Sequence, residues 1–196
     1  MKRAFDIAAA LAGIAVLSPL LLLIAVSVRL GSPGPVLFVQ ERMGKGFRPF
    51  GLYKFRTMVR DAASRGPSVT ASGDPRVTRV GRVLRRTKLD ELPQLFNVLA
   101  GHMGIVGPRP EVRKYVEMFA EDYRTVLSVR PGITDYAAIR FRDEEAVLRS
   151  YPDPEEAYVR EVLPAKIGLY KEYIARGPGL VEDLRIIALT VLRLFR

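Results

Sequence analysis

The chain has no cysteine, so it forms no disulfide framework, no thiolate nucleophile and no zinc–thiolate centre. Its single histidine, His102, excludes a multi-histidine metal site. Acids are also scarce: 21 Asp+Glu face 31 Lys+Arg, a formal net charge of +10 over 196 residues. That excess suits anionic partners, namely nucleic acid, lipid headgroups or phosphorylated small molecules. Internal repeats and low-complexity tracts are absent as well. The length fits one domain with a real core plus appendages. The lack of cysteine is read most simply as a cytoplasmic environment.

What the chain does have is a long apolar run. Residues 7–28 carry no charge, with Lys2, Arg3 and Asp6 before them and Arg29 after. As a straight helix at ~1.5 Å per residue the run reaches roughly 33 Å, enough for a bilayer core. It is longer than the apolar part of a signal peptide, and no small-residue cleavage motif follows. Ser18-Pro19 interrupts it near the middle. Pro19 cannot donate to the Ala15 carbonyl, and the Ser18 hydroxyl is placed to take that carbonyl over. The pair reads as a tolerated kink. Arg29, Arg42, Lys45 and Arg48 follow the run, so both flanks are basic. A spanning helix carries its basic excess on one side, so the pattern favours a re-entrant helix-break-helix with both ends on the cytoplasmic side. A spanning helix and a buried soluble helix are the alternatives.

After Gly31-Ser32-Pro33-Gly34-Pro35 the pattern becomes one of alternation, from Val36 to Glu41 and from Phe50 to Phe55 about a Gly44-Lys45-Gly46 turn, which predicts a β-hairpin. Residues 60–75, with Gly66-Pro67 and Gly73-Asp74-Pro75, read as a mobile loop. Helices are predicted over roughly 76–86, 91–99, 111–126, 143–149 and 155–175, the last kinked by Pro164. Tyr115 and Phe119 read as core and His102 as a loop residue. Beyond Gly177-Pro178-Gly179, the residues Leu180, Val181, Leu184, Ile187, Ala188, Val191, Leu192 and Phe195 recur at helical spacing, with Arg193 and Arg196 at the end. Such a helix lies in a lipid interface or packs on the core. The predicted class is mainly α with a small β-hairpin. The predicted division is a membrane hairpin over 1–31, a cytoplasmic catalytic domain over 32–178 and an amphipathic interfacial helix over 179–196.

Three constellations carry chemistry. The first is Thr87-Lys88-Leu89-Asp90-Glu91-Leu92-Pro93-Gln94, after the cations Arg76, Arg79, Arg82, Arg85, Arg86 and Lys88. Acids among so many bases are expected to stay ionised. An ionised Asp can be a nucleophile and an ionised Glu can hold a hard metal ion. Adjacent side chains on a helix diverge by about 100°, which suggests a division of labour rather than an acid pair. On local evidence alone, Thr87-x-x-Asp90 reads better as a helix N-cap with an acid at its third position, a reading compatible with the chemical one. The second constellation is Lys54 and Arg56, placed i and i+2 on an extended chain, where two cations on one face could grip a diphosphate. The third is Gly107-Pro108-Arg109-Pro110, where prolines stiffen the chain around one Arg and present a cation at low entropy cost.

In order, these pieces closely resemble a known family. They comprise the Lys2-Arg3 start, Ser18-Pro19 in an apolar run, Gly34-Pro35, Gln40-x-Arg42-x-Gly44, Lys54-Phe55-Arg56-Thr57-Met58, Leu89-Asp90-Glu91-Leu92-Pro93-Gln94 and Gly107-Pro108-Arg109-Pro110. The chain resembles the bacterial sugar transferases, small monotopic polyprenyl-phosphate phosphoglycosyl transferases, over nearly its whole length. The resemblance implies transfer of a sugar-1-phosphate from a UDP-sugar to a polyprenyl phosphate at the cytoplasmic face of the bacterial inner membrane. It implies Asp90 as nucleophile and Glu91, with Asp90, as the place of Mg²⁺. Arg109 and Arg85 are implied as phosphate contacts, Lys54 and Arg56 as further substrate contacts, and Ser18 and Pro19 as the membrane break. Two positions depart from it: many members have an acid at His102 and Gly at Asp135, which marks Pro131-Gly132-Ile133-Thr134-Asp135 as a subgroup feature. A nucleic-acid-binding protein fits the charge but not the apolar run, and the chain lacks an aromatic RNA platform. The remaining alternative is a non-catalytic membrane-anchored scaffold, which would have no use for Asp90.

Overall fold

The computed structural model describes residues 1–62 and 73–194. The predicted loop around Gly66-Pro67 therefore lies largely outside the described residues, as do Phe195 and Arg196. The fold is mainly helical with two small sheets.

Helix α1 runs from Lys2 to Gly31. The expected helix-break-helix is corrected: α1 is one continuous helix through Pro19, because the Ser18 hydroxyl donates to the Ala15 carbonyl at 2.9 Å and takes over the acceptor that Pro19 leaves, the exchange that the sequence suggested. α1 is long and apolar enough to cross a membrane, with mean hydropathy 2.6, yet only 11% of that stretch is buried. One face lies along the rest of the molecule. Ala10 packs with Phe50, Leu52, Leu95 and Val98, and Ile24 and Val28 pack with Phe55 and Leu84. The other face exposes Leu11, Val16, Leu22, Leu23, Val26 and Leu30.

Both ends of α1 are tied to the same body. Arg3 donates to the carbonyls of Val98 and Leu99, and the Asp6 carboxylate accepts the Ile105 N–H at 3.0 Å. At the other end Arg56 donates to the carbonyls of Val28, Ser32 and Pro33. The last carbonyls of a helix have no partner of their own, and Arg56 supplies one. Gly34, at φ +126°, passes so close to this guanidinium that a Cβ would lie 2.7 Å from it.

Strands β1 (Leu37–Met43) and β2 (Pro49–Phe55) form the predicted antiparallel hairpin, with Leu37 opposite Phe55 and Met43 opposite Pro49. Next come α2 (Arg79–Thr87), a 3₁₀ turn over Leu89–Glu91 and α3 (Gln94–Leu99). A second, parallel pair joins β3 (Gly104–Val106) to β4 (Gly132–Thr134). Between these strands lie α4 (Arg113–Met118) and α5 (Ala120–Val126), which share a break at Phe119. α6 (Tyr136–Arg140), α7 (Glu144–Leu148) and α8 (Pro154–Ala157) follow. A π turn over Tyr158–Val162 then leads into α9 (Leu163–Ala175). Pro164 sits in the first turn of α9, where its missing N–H costs nothing, and the expected kink is taken up by the wider turn before it.

The largest core joins α4, α5, α8 and α9 through Tyr115, Tyr123, Leu163 and Tyr170, with Phe119 packed against it. Helix α10 (Leu180–Leu194) follows the core-packing reading on one face. Ile186 and Asp183 are fully buried against Val106 and Tyr173, while Val181, Leu184, Val191 and Leu192 face outward.

Candidate active site

Asp90 and Glu91 occupy the 3₁₀ turn, and the sequence around them explains how the turn forms. α2 buries Leu84 and exposes Arg82 and Arg86. It ends at Thr87, whose hydroxyl donates back to the Val83 carbonyl at 2.8 Å. The N-cap reading of Thr87 is thereby corrected: its hydroxyl closes the preceding helix, and α3 starts only at Gln94. Lys88 is left-handed, at φ 59°, and turns the chain sharply. That conformation costs a residue with a side chain roughly 1–2 kcal/mol. Leu89 and Leu92, packed against the cluster of Ile24, Val28, Phe55 and Leu84, offset it.

The two carboxylates diverge, as the spacing requires. Glu91 is gripped by cations. Lys54 Nζ, from β2, lies 3.2 Å from its Oε1, and Arg109 binds both oxygens, Nη1 to Oε2 at 3.0 Å. Burial alone would raise the Glu91 carboxyl, but Arg109 and Lys54 outweigh it and hold the group well below the usual carboxylate range. Asp90 is 7% exposed, and its Oδ1 is buried without a hydrogen-bond partner. Burial pushes the Asp90 carboxyl up, against the pull of Lys54, Arg85 and Arg109, and the Glu91 charge adds to the rise. The expectation that surrounding cations keep both acids fully ionised thus meets an opposing force at Asp90. Of the cation run, Arg79, Arg82, Arg86 and Lys88 are exposed and Arg76 pairs with Asp74, so Arg85 is the member that acts on Asp90.

Arg109 is held in place by β3 and β4. The Gly107 N–H donates to the Thr134 carbonyl and the Gly132 N–H to the Pro108 carbonyl, each at 3.0 Å. The two backbones touch: a Cβ on Gly132 would lie 2.1 Å from the Gly107 nitrogen. Behind the turn, Arg42 donates to Glu111 at 2.8 Å, and Glu111 accepts the Tyr158 hydroxyl at 2.7 Å.

Lys54 and Arg56 do not share a target. Lys54 enters the site, whereas Arg56 is spent on the carbonyls at the end of α1. Ser18 and Pro19 lie in α1, away from these contacts. His102 is an exposed loop residue beside the Phe50 ring.

Several residues of this region had no role in the sequence reading. Gln94 is 1% exposed, and its side-chain nitrogen has no partner. Its place inside the Asp90-Glu91 motif was the available signal. Asp135 is 2% exposed; one oxygen accepts the Ala138 N–H at 2.7 Å, and the other is buried without a partner. Glu145 accepts from Arg85 across sixty positions, which no local pattern foretells.

Among the described residues no three His, Cys, Asp or Glu side chains gather as a metal cage. The donor set nonetheless suits Mg²⁺, which takes one or two carboxylates and completes its shell with water and substrate phosphate. The unpartnered, buried Asp90 oxygen beside Glu91 is such a donor. Chemically, the arrangement offers one free carboxylate oxygen next in sequence to a second carboxylate, with the charges of Lys54, Arg85 and Arg109 acting on it.

The family model described as bacterial sugar transferase matches residues 1–196. A UDP-N-acetylgalactosamine-undecaprenyl-phosphate N-acetylgalactosaminephosphotransferase of Aeromonas hydrophila is 49% identical over 144 residues, covering 71% of this chain and 34% of that protein. An undecaprenyl-phosphate glucose phosphotransferase of Komagataeibacter xylinus is 41% identical over 199 residues, covering 98% and 35%. A UDP-glucose:undecaprenyl-phosphate glucose-1-phosphate transferase of Escherichia coli is 40% identical over 199 residues, covering 100% and 40%. The chain spans roughly a third to two fifths of the length of these three relatives.

Proposed function

The chain belongs to the bacterial sugar transferase family, and from that premise we propose that it transfers a sugar-1-phosphate from a UDP-sugar to a polyprenyl phosphate. The observation that carries the reading is the free, buried oxygen of Asp90 under the charges of Lys54, Arg85 and Arg109. A carboxylate that attacks phosphorus needs an oxygen not committed to a hydrogen bond, and cations to offset repulsion from the phosphates.

Asp90 attacks the β-phosphorus of the donor. A bond forms from its carboxylate oxygen to phosphorus, and the bond from phosphorus to the bridging oxygen breaks, so UMP leaves with that oxygen. A polyprenyl phosphate oxygen then attacks the same phosphorus. The acyl-phosphate bond breaks, the Asp90 carboxylate returns and polyprenyl-diphospho-sugar is released. Arg109 and Arg85 orient the donor phosphates, and Lys54 holds Glu91 in place. Asp90 would hold Mg²⁺ through its free oxygen, and Glu91 would join it by releasing a bond to Arg109 or Lys54; the ion when bound supplies positive charge against the phosphoryl oxygens. Arg56 serves the site indirectly, by docking α1 to the end of β2.

The reading places the protein at the cytoplasmic face of a bacterial inner membrane, as the first membrane step of glycoconjugate assembly. The outward apolar face of the unbroken helix α1 dips into the bilayer from one side, and the exposed face of α10 rests on the interface. The acceptor phosphate lies at that interface, which suits a site built beside α1. The test is UMP release from a panel of UDP-sugars with polyprenyl phosphate and Mg²⁺. The native protein is expected to turn over at least one donor and to yield a phosphosugar adduct on Asp90 when the acceptor is withheld. Asp90→Asn is expected to lose both; full UMP release by that variant would sink the mechanism.

A further inference from the structure

Helix α7 carries two adjacent acids that reach in different directions. Glu144 pairs with Lys166 of α9, whose side chain is 7% exposed, and Leu148 at the other end of α7 is 1% exposed. These contacts anchor the helix. Glu145 turns toward α2. One of its oxygens, Oε1, accepts from Arg85 Nε at 3.0 Å and also from Nη2. The Glu145 side chain is 39% exposed and that of Arg85 21%. Arg85 acts electrostatically on Asp90.

A guanidinium presents one fork, and a carboxylate or a phosphate can fill it. With Glu145 in the fork, Arg85 has less of it to offer a substrate. We infer that Glu145 is a positioning residue that holds the phosphate place on Arg85 while the site is empty and is exchanged for a donor phosphate when the nucleotide binds. The inference rests on the transferase reading above. Three features support it. The pair is partly open to solvent, which screens it and lowers the cost of breaking it. The anchor beside it, Glu144 with Lys166, is more deeply buried and stays when Glu145 lets go. The exchange also needs no rearrangement of α7, because the partly exposed Glu145 side chain borders solvent. Glu145 thereby orients Arg85 toward the site before the donor arrives. It also competes with UMP for the same cation after the first transfer, which favours product release.

The test is equilibrium binding of UDP, with Mg²⁺ in the buffer, to the full chain in detergent. Glu145→Gln is expected to tighten UDP about fivefold, the size of an exposed ion pair, and to lower the KM for the UDP-sugar by a similar factor. In an Arg85→Ala background the same substitution is expected to change UDP affinity by less than about twofold. Glu144→Gln serves as the structural comparison: it is expected to lower Tm without tightening UDP. Unchanged or weaker UDP binding by folded Glu145→Gln overturns the inference. So does tightening that persists without Arg85, because the effect would then be one of net charge. Native protein that neither binds UDP nor releases UMP overturns the transferase reading itself. Native binding with a flat response to Glu145→Gln overturns only the exchange.

Discussion

Asp135 is a side chain whose burial works against the stability of the fold. Its carboxyl is buried, one oxygen caps α6 and the other has no partner. Burial raises its pKa above the ordinary 3.8, with the Ala138 N–H, Arg109 and Lys166 pulling the other way. A raised carboxyl favours the protonated form in the folded state. Its cost is therefore absent below the unfolded-state pKa, where both states are protonated. The cost grows as pH rises from there toward the folded-state pKa and persists above it. Asp135→Asn keeps the cap through its carbonyl oxygen and removes the charge. It is expected to stabilise the protein by about 1 kcal/mol at neutral pH, read as a rise in Tm that fades as the pH falls toward the ordinary carboxylate value of 3.8. A fall in Tm at neutral pH would instead make Asp135 a needed counter-ion for Arg109 and Lys166. At this scale the sequence was informative about identity and poor about partners. The acids, Arg109 and Lys54 were legible from charge and motif. That Glu91 takes both cations, that Asp90 keeps a free oxygen and that Arg56 serves α1 all depend on contacts between distant segments.

Elements were legible where a period could be counted. The hairpin of β1 and β2 and the long helices α1, α9 and α10 each gave several repeats of alternation or helical spacing. The parallel pair of β3 and β4 gave none, because three residues are too few to show a period. Its real signature is a pair of glycines. Gly107 and Gly132 let two backbones approach until a Cβ on Gly132 would lie 2.1 Å from the Gly107 nitrogen. Gly132→Ala is therefore expected to cost about 3 kcal/mol and to displace Arg109 from Glu91. Urea unfolding reads the first effect, and a raised KM for the UDP-sugar reads the second. Gly168 gives the contrasting case. It lies in α9, and a Cβ there would meet nothing within 4 Å, so Gly168→Ala is expected to stabilise by about 0.5–1 kcal/mol. Equal costs at the two positions would mean that the β3–β4 approach can relax.

For the whole molecule, the question is how an apolar helix of 30 residues relates to the body that it touches. A helix that crosses a bilayer carries one end roughly 30 Å from the other side. Here Lys2 pairs with Asp183 of α10, and Arg3 and Asp6 bond the segment from Val98 to Ile105. Arg56 holds the opposite end of α1, and Gly31 sits against Val80 of α2. While those contacts hold, both ends remain on the side where the body lies. In the proposed membrane contact, the exposed row from Leu11 to Leu30 would then meet the bilayer from the side. The basic flanks favoured both ends on one side through a break at Ser18-Pro19; the helix has no such break, and the polar ties at its two ends are what argues for one side. The absence of cysteine makes the idea easy to test, since a single introduced cysteine is the only thiol. Ala4→Cys and Lys45→Cys, both at exposed positions, are expected to react with a membrane-impermeant maleimide from the same side of sealed inverted vesicles. Val16→Cys, 77% exposed in the protein alone, is expected to be shielded until detergent is added. Labelling of Ala4→Cys and Lys45→Cys from opposite sides would show that α1 spans the bilayer and that its end contacts break on insertion.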